Sequence, residues 1–308
     1  MHALPFVIAL ATAALMAPAV LRALEAGGQL RPNYRGRMLP CPFGLLALAA
    51  ALLALIPLTL LAKLASAEVF HPEVLPIALY ALGVIALGLV DDTLGAGGGG
   101  SAGGGGEAAG PGAAGGAGGP AGAAGAGARP AHRGWRGHGA AALRGELSTG
   151  TLKAFGSLGL ALLAVSYFSL SNGRWLLAAA VLVLATNAFN LLDLRPGRSA
   201  KAFVLLGAGL TIGSMDLRPL WAVGLFAAPA LVAGAYDLRE RAMLGDTGAN
   251  LLGALAGMWL VLTLSGTGQL IALVLLAAIT LYGEIRSLSA LIDRTPGLRE
   301  LDSWGRPS

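Results

Sequence analysis

Runs of apolar residues, most of them near twenty long, recur from one end of the chain to the other. About twenty helical residues are needed to cross a hydrocarbon core of roughly 30 Å. Nine such runs can be counted, at 4–24, 44–62, 74–90, 154–170, 175–192, 202–215, 219–236, 248–264 and 269–283. The sixth is short and contains glycine, and so is the weakest of them. The charged fraction is 12% and the hydrophobic fraction 56%, where soluble domains hold about 25% charge. The predicted fold class is therefore all-α: a polytopic integral membrane protein of about nine transmembrane helices in a single domain, 1–308. The first run follows Met1-His2-Ala3 with no basic residues before it, so it reads as a first span and not a cleaved signal peptide. One cysteine, Cys41, excludes an intramolecular disulfide and a cysteine metal cluster.

Charge sets the expected orientation. The net charge of +5 speaks to topology and not to nucleic acid. Alternate loops, 22–43, 91–153, 193–201 and 237–247, together with the tail, hold 18 of the 21 lysines and arginines. The other loops hold only Lys63, Arg174 and Arg218. The excess of basic residues in cytoplasmic loops then predicts the N-terminus outside and the tail inside. The expected location is a bacterial plasma membrane, crossed many times.

Two segments fall outside this pattern. Residues 96–128 are nearly all glycine and alanine. Such a stretch buries too little apolar surface to offset its ordering entropy. It is read as a flexible insertion in a cytoplasmic loop, with a reach of roughly 30 Å. No Gly-Lys-Ser/Thr closes it, so a phosphate-binding loop does not fit. The tail, 284–308, begins with Leu288, Leu291 and Ile292 at helical spacing, and Pro296-Gly297 is expected to break the pattern. It is read as a cytoplasmic amphipathic segment, either along the inner membrane surface or solvated.

The polar residues gather in a few places, all on the predicted cytoplasmic side. Asp91 and Asp92 end the third apolar run. A charge at such a border is costly and points to function, although a solvated helix end is the plainer reading. Neighbours on a helix point about 100° apart, so the two carboxylates are expected to do different jobs. Asn187, Asn190 and Asp193 share a face at spacing i, i+3, i+6. They would face a ligand, or the asparagines would hydrogen-bond between helices. Arg195, Arg198 and Lys201 follow directly and suit a phosphate. Asp246, in Gly245-Asp246-Thr247-Gly248, precedes the eighth run, with Asn250 one turn on. It could hold a metal beside a helix N-terminus that favours phosphate, or Asp246 or Thr247 could be a plain N-cap. Two basic loops, one with Arg35 and Arg37 and one with His138 and Lys153, are either substrate-binding or mere topology signals. Hard carboxylate oxygens without a cysteine or histidine pair select Mg²⁺. Carboxylates, Mg²⁺ and arginines at a membrane face describe phosphoryl transfer on a lipid.

Together these motifs resemble the polyprenyl-phosphate N-acetylhexosamine-1-phosphate transferases, a family that includes the phospho-N-acetylmuramoyl-pentapeptide transferases, over roughly residues 30–300. Leu89-Val90-Asp91-Asp92 is similar to the family's aspartate pair. Asn187 to Asp193 is similar to its Asn-x-x-Asn-x-x-Asp motif, and Gly245 to Gly248 to its Gly-Asp-x-Gly motif. Pro32-Asn33-Tyr34-Arg35 resembles its substrate-loop signature. The resemblance implies transfer of a sugar-1-phosphate from a UDP-sugar to undecaprenyl or another polyprenyl phosphate, with release of UMP and with Mg²⁺ as cofactor. It implies a metal held by Asp246 with Asp193, a prenyl phosphate engaged by Asp91 or Asp92, and a nucleotide near Asn190 and Arg37. Catalysis would then fall to Asp91, Asp92 and Asp193. The candidates for binding substrate are Asn187, Asn190, Arg35, Arg37, Arg195, His138 and Lys153. A homodimer stays open.

The chain also departs from the family. After Asp193 stands Leu194-Arg195-Pro196-Gly197, where the family usually continues Gly-x-Asp-Gly, and residues 284–306 contain no histidine. Pro196 removes a backbone donor. Two other readings are therefore carried: a non-catalytic prenyl-phosphate-binding or partner-recruiting protein of the same fold, and a small-solute transporter. Transporters place charge near the bilayer midplane and often show repeats, and neither is seen here.

Overall fold

The computed structural model describes residues 1–94 and 149–307. It is 76% helical with almost no sheet. Among the described residues are nine long helices: α1 (Leu4–Ala26), α2 (Leu45–Leu64), α3 (Val74–Leu94), α4 (Thr149–Val165), α5 (Asn172–Leu192), α6 (Arg198–Ser214), α7 (Arg218–Leu238), α8 (Gly245–Thr263) and α9 (Gly266–Ile285). Each predicted run overlaps one of them, including the doubtful sixth, which is α6, although the fourth, 154–170, runs past the end of α4 at Val165. Six of the described helices are long and apolar enough to cross a membrane: α1, α2, α3, α5, α7 and α9. The chain is thus a multi-pass, all-α membrane protein. The predicted insertion at 96–128 and His138 lie outside the described residues.

α8 is the centre of the bundle. It packs against α3, α5, α6 and α7, and Thr247 to Val261 are buried without a break. A helix apolar on every side belongs in a core. Its neighbours approach through small residues, as is usual where lipid tails compete equally for larger side chains. A Cβ at Gly44, just before α2, would lie 2.3 Å from the Gly248 nitrogen. One at Gly88 of α3 would lie 2.7 Å from the Thr247 Cα. Backbone therefore meets backbone at the N-terminal end of α8, the end that carries Asp246.

A short antiparallel ribbon, β1 (Leu30–Pro32) with β2 (Met38–Pro40), closes that end, Arg31 opposite Leu39. The Asn33 side-chain oxygen accepts from the backbone nitrogens of Arg35 and Arg37, both at 2.9 Å, and so shapes the turn. The chain beyond β2 then pairs with the approach to α8. Met243 N–H donates to the Pro40 carbonyl (2.8 Å), and Phe43 N–H donates to that of Met243 (2.8 Å).

The tail folds as two short helices, α10 (Leu288–Arg294) and α11 (Pro296–Ser303). The helical pattern breaks just before Pro296, as expected from sequence: α10 ends at Arg294 and Thr295 is extended, with φ −101° and ψ 108°. Pro296 then opens α11 at its first turn, where a missing N–H costs nothing. The tail is pinned to the bundle by buried charge. Arg198 donates two hydrogen bonds to Asp302, both 2.9 Å, and Arg306 adds one of 2.6 Å. Burial alone would raise the Asp302 pKa, but the hydrogen bonds and charges of Arg198 and Arg306 outweigh it and bring it down to about 2.

Gly44→Ala should force backbones apart and lower stability by about 1–3 kcal/mol, read as a lower thermal midpoint in detergent. Tail docking should follow Asp302. A carboxylate whose folded pKa is depressed contributes stability above its ordinary pKa and loses it as pH falls through the folded value. A nitroxide at Ser303→Cys should therefore stay immobile near pH 5 and gain mobility as pH falls towards 2. With Asp302→Asn it should be mobile at neutral pH.

Candidate functional site

The two aspartates at the end of α3 point apart, as their spacing requires. Asp92 turns inward and is 5% exposed. Its carboxylate accepts from the backbone nitrogens of Asp246 (3.2 Å) and Thr247 (2.9 Å) and from the Thr247 hydroxyl (2.7 Å). It is a helix cap supplied by another helix. The residue at the α8 cap position itself, Leu244, offers no side-chain hydrogen bond, so the plain N-cap by Asp246 or Thr247 does not occur. Two of the four N–H groups left free at a helix start are thereby taken, and they do not point at an open phosphate site. Gly245 permits the fit. Its φ is +69°, and a Cβ there would lie 2.7 Å from the Pro42 Cβ and 3.0 Å from an Asp92 carboxylate oxygen. Arg31 backs the pair: its guanidinium donates to the Asp92 backbone carbonyl and stands 3.7 Å from the carboxylate.

Asp91 turns the other way, towards Lys153 of α4. The Lys153 ammonium lies 2.5 Å from an Asp246 carboxylate oxygen and 3.5 Å from one of Asp91. Three helices thus deliver two carboxylates around one cation, each side chain partly open to its surroundings. Asp193 stands directly after α5, beside this group. Burial, then the charge of Asp237, with further contributions from Asp246 and Asp92, hold its carboxyl well above the usual carboxylate range. A cavity of about 40 Å³ opens against Asp193, lined also by Asn33, Tyr34, Arg195 and Asp237.

The remaining sequence candidates are engaged elsewhere. Arg35 (3.6 Å) and Arg37 (3.3 Å) both face the Glu240 carboxylate, which also accepts from Asn33 and Tyr34 at 3.3 Å. Arg195 forms a two-pronged pair with Asp293 of α10, at 3.1 and 2.8 Å, and lies over the Tyr34 ring at 5.7 Å. Asn187 donates to Thr280 of α9 at 3.4 Å, an inter-helix hydrogen bond. Asn190 lies in the last turn of α5, three residues ahead of Asp193.

Four residues essential to this geometry carried no clear sequence signal of their roles. Thr247 is the variable residue of its motif, Asp237 one carboxylate at the end of an apolar helix, Glu240 one acid among arginines, and Arg31 one arginine of four in its loop. Asp237 accepts from Gly197 N–H at 2.6 Å and Leu244 N–H at 3.3 Å, tying the loop after Asp193 to the start of α8. A buried carboxylate at the end of an apolar span was the one cue that could have singled it out.

For a metal, the described residues include no cluster of three or more histidine, cysteine or acidic side chains fit to hold one. Mg²⁺ needs less than that, since it is usually bound by one or two carboxylates plus substrate phosphates and water. Asp91 and Asp246 share one cation already, the Lys153 ammonium, and their hard oxygens suit Mg²⁺. An orphaned amide oxygen lies one turn along α8, where Asn250 is buried with no hydrogen-bond partner for its Oδ1. The residues present therefore fit the ion in chemistry. The chain matches no known family and no curated protein.

Thr247→Val should leave the buried Asp92 short of one donor and cost about 1.5–3 kcal/mol. Thr247→Ser should hold close to the parent. Thermal midpoints of the three proteins in one detergent decide it.

Proposed function

We propose that this protein transfers a sugar-1-phosphate of the N-acetylhexosamine class from a UDP-sugar to a polyprenyl phosphate, releasing UMP, with Mg²⁺, in cell-envelope glycan synthesis. The meeting of Asp91, Lys153 and Asp246, from three separate helices, at the edge of an apolar bundle carries this reading. A lipid phosphate arrives at the membrane border, which is where these charges stand. The order of the motifs along the chain supports the same family likeness. The basic loops support nine spans with the N-terminus outside and this end of the bundle in the cytoplasm of a bacterium.

In this mechanism a phosphate oxygen of the prenyl phosphate attacks the sugar-bearing phosphorus of the UDP-sugar. The bond from that phosphorus to the UMP oxygen breaks, and UMP leaves. Asp91, the more open of the pair, faces the prenyl phosphate and can take its proton. Lys153 offsets the charge that gathers on the transferred group. Asp92 is a positioning residue, since its carboxylate holds the start of α8 and with it Asp246. Asp246 with Asp193 would hold Mg²⁺, which when bound neutralises phosphate charge and aids departure of UMP. The raised pKa of Asp193 reflects its burial first and then the negative charge of Asp237, Asp246 and Asp92, which a cation would relieve.

A second reading is a prenyl-phosphate-binding protein without turnover. Arg195 neutralised by Asp293, and Pro196 in the loop after Asp193, favour it.

Purified protein given undecaprenyl phosphate, Mg²⁺ and a panel of UDP-N-acetylhexosamines should release UMP. Asp246→Asn should abolish this, and Asp91→Asn should lower the rate by about 10²–10⁴-fold. UMP release no higher than from an Asp91→Asn/Asp92→Asn control would end the enzyme reading. Lipid-phosphate binding that survives Mg²⁺ removal, with no turnover, would establish the second.

A further inference from the structure

The tail carries an apolar face that the bundle leaves uncovered. Leu298, Leu301 and Trp304 lie at spacing i, i+3, i+6 along and just past α11, with exposures of 45%, 38% and 73%. Large apolar side chains grouped in this way mark a docking surface. Asp302 fixes how the helix is turned. It is 6% exposed and points at Arg198 in the first turn of α6. Successive residues are about 100° apart around a helix, so the stripe, centred on Leu301, faces sideways.

What lies on that side is set by α6. Val204 and Leu205, each 51% exposed, and Ile212, 72% exposed, form the outward apolar face of α6. In a membrane bundle such a face looks onto lipid. Lys201 sits one turn before Val204 and Leu205, on the same face. Its ammonium reaches the carbonyls of Leu301 (2.9 Å), Asp302 (2.5 Å) and Trp304 (3.2 Å). The last turn of α11 is therefore tied to the foot of this exposed apolar face. Tryptophan is favoured at the membrane–water border. Arg294 and Arg299, both exposed on the same tail, suit lipid phosphates.

We propose that α11 is seated in the bilayer, with Leu298, Leu301 and Trp304 in the headgroup–acyl border beside α6. Amphipathic helices of this kind bury their apolar face about 5–10 Å into that region. The bilayer continues the apolar surface of α6 around the corner formed by the Lys201 contacts. This inference rests on the membrane-embedded bundle alone and stands apart from the transferase reading.

The full chain, in nanodiscs of mixed phosphatidylcholine and phosphatidylglycerol, tests it. The Trp304 emission is the difference between the parent and Trp304→Phe, a change at an exposed position that leaves the bundle intact. That emission should be blue-shifted, protected from iodide, and largely lost when the lipids are brominated near the headgroup end of their chains. Leu298→Glu/Leu301→Glu should return it to a water-exposed wavelength and restore iodide quenching. Trp304 emission that stays red and fully iodide-quenched in the nanodisc would overturn the proposal. So would shielding from iodide with no response to brominated lipid, which would place a second copy or another protein on the stripe.

Discussion

The carboxylate of Asp92 holds three things at once. It caps the start of α8, it fixes the end of α3 against that start, and it anchors the ribbon through Arg31. Such a buried charge is tolerable only because backbone N–H groups, a hydroxyl and a guanidinium all face it. Everything that makes the polar end of the bundle a site follows from this fixed point. Asp246 is placed because its own backbone nitrogen is held, and Asp91 faces Lys153 because its neighbour faces inward.

The same logic extends outward in tiers of paired charge. Glu240, fully enclosed, gathers Asn33, Tyr34, Arg35 and Arg37 and so holds the hairpin tip. Asp237 holds the loop after Asp193. Asp293 and Asp302 bind Arg195 and Arg198 and fasten the tail. Removing one partner of such a buried pair costs far more than the pair itself contributes, because it strands a charge away from water. The arginines that looked available for substrate in the sequence are therefore largely committed to architecture. Asp91, Lys153 and Asp246, partly open and from three separate helices, face one another at the same end of the bundle. The segment Leu194 to Gly197 is held in place at two points: Gly197 N–H is bound to Asp237, and the Pro196 carbonyl accepts from Arg306 at 2.8 Å.

The sequence by itself determined the helices and their order. Apolar runs near twenty residues long have one stable form in lipid, so the class and each helix could be read from periodicity and length. It also determined that Asp91 and Asp92 would diverge, since that follows from helical geometry alone, and their places at the ends of apolar runs put Asp91, Asp193 and Asp246 at one end of the bundle. Only the tertiary structure decided which aspartate faces in, because that depends on how α3 crosses α8 at Gly88 and Thr247. Only it showed that Arg35, Arg37 and Arg195 have acidic partners 205, 203 and 98 residues away in the chain. Pairings at such distances leave no local pattern, since a carboxylate looks the same in sequence whether it meets water, a ligand or an arginine from the far end of the chain.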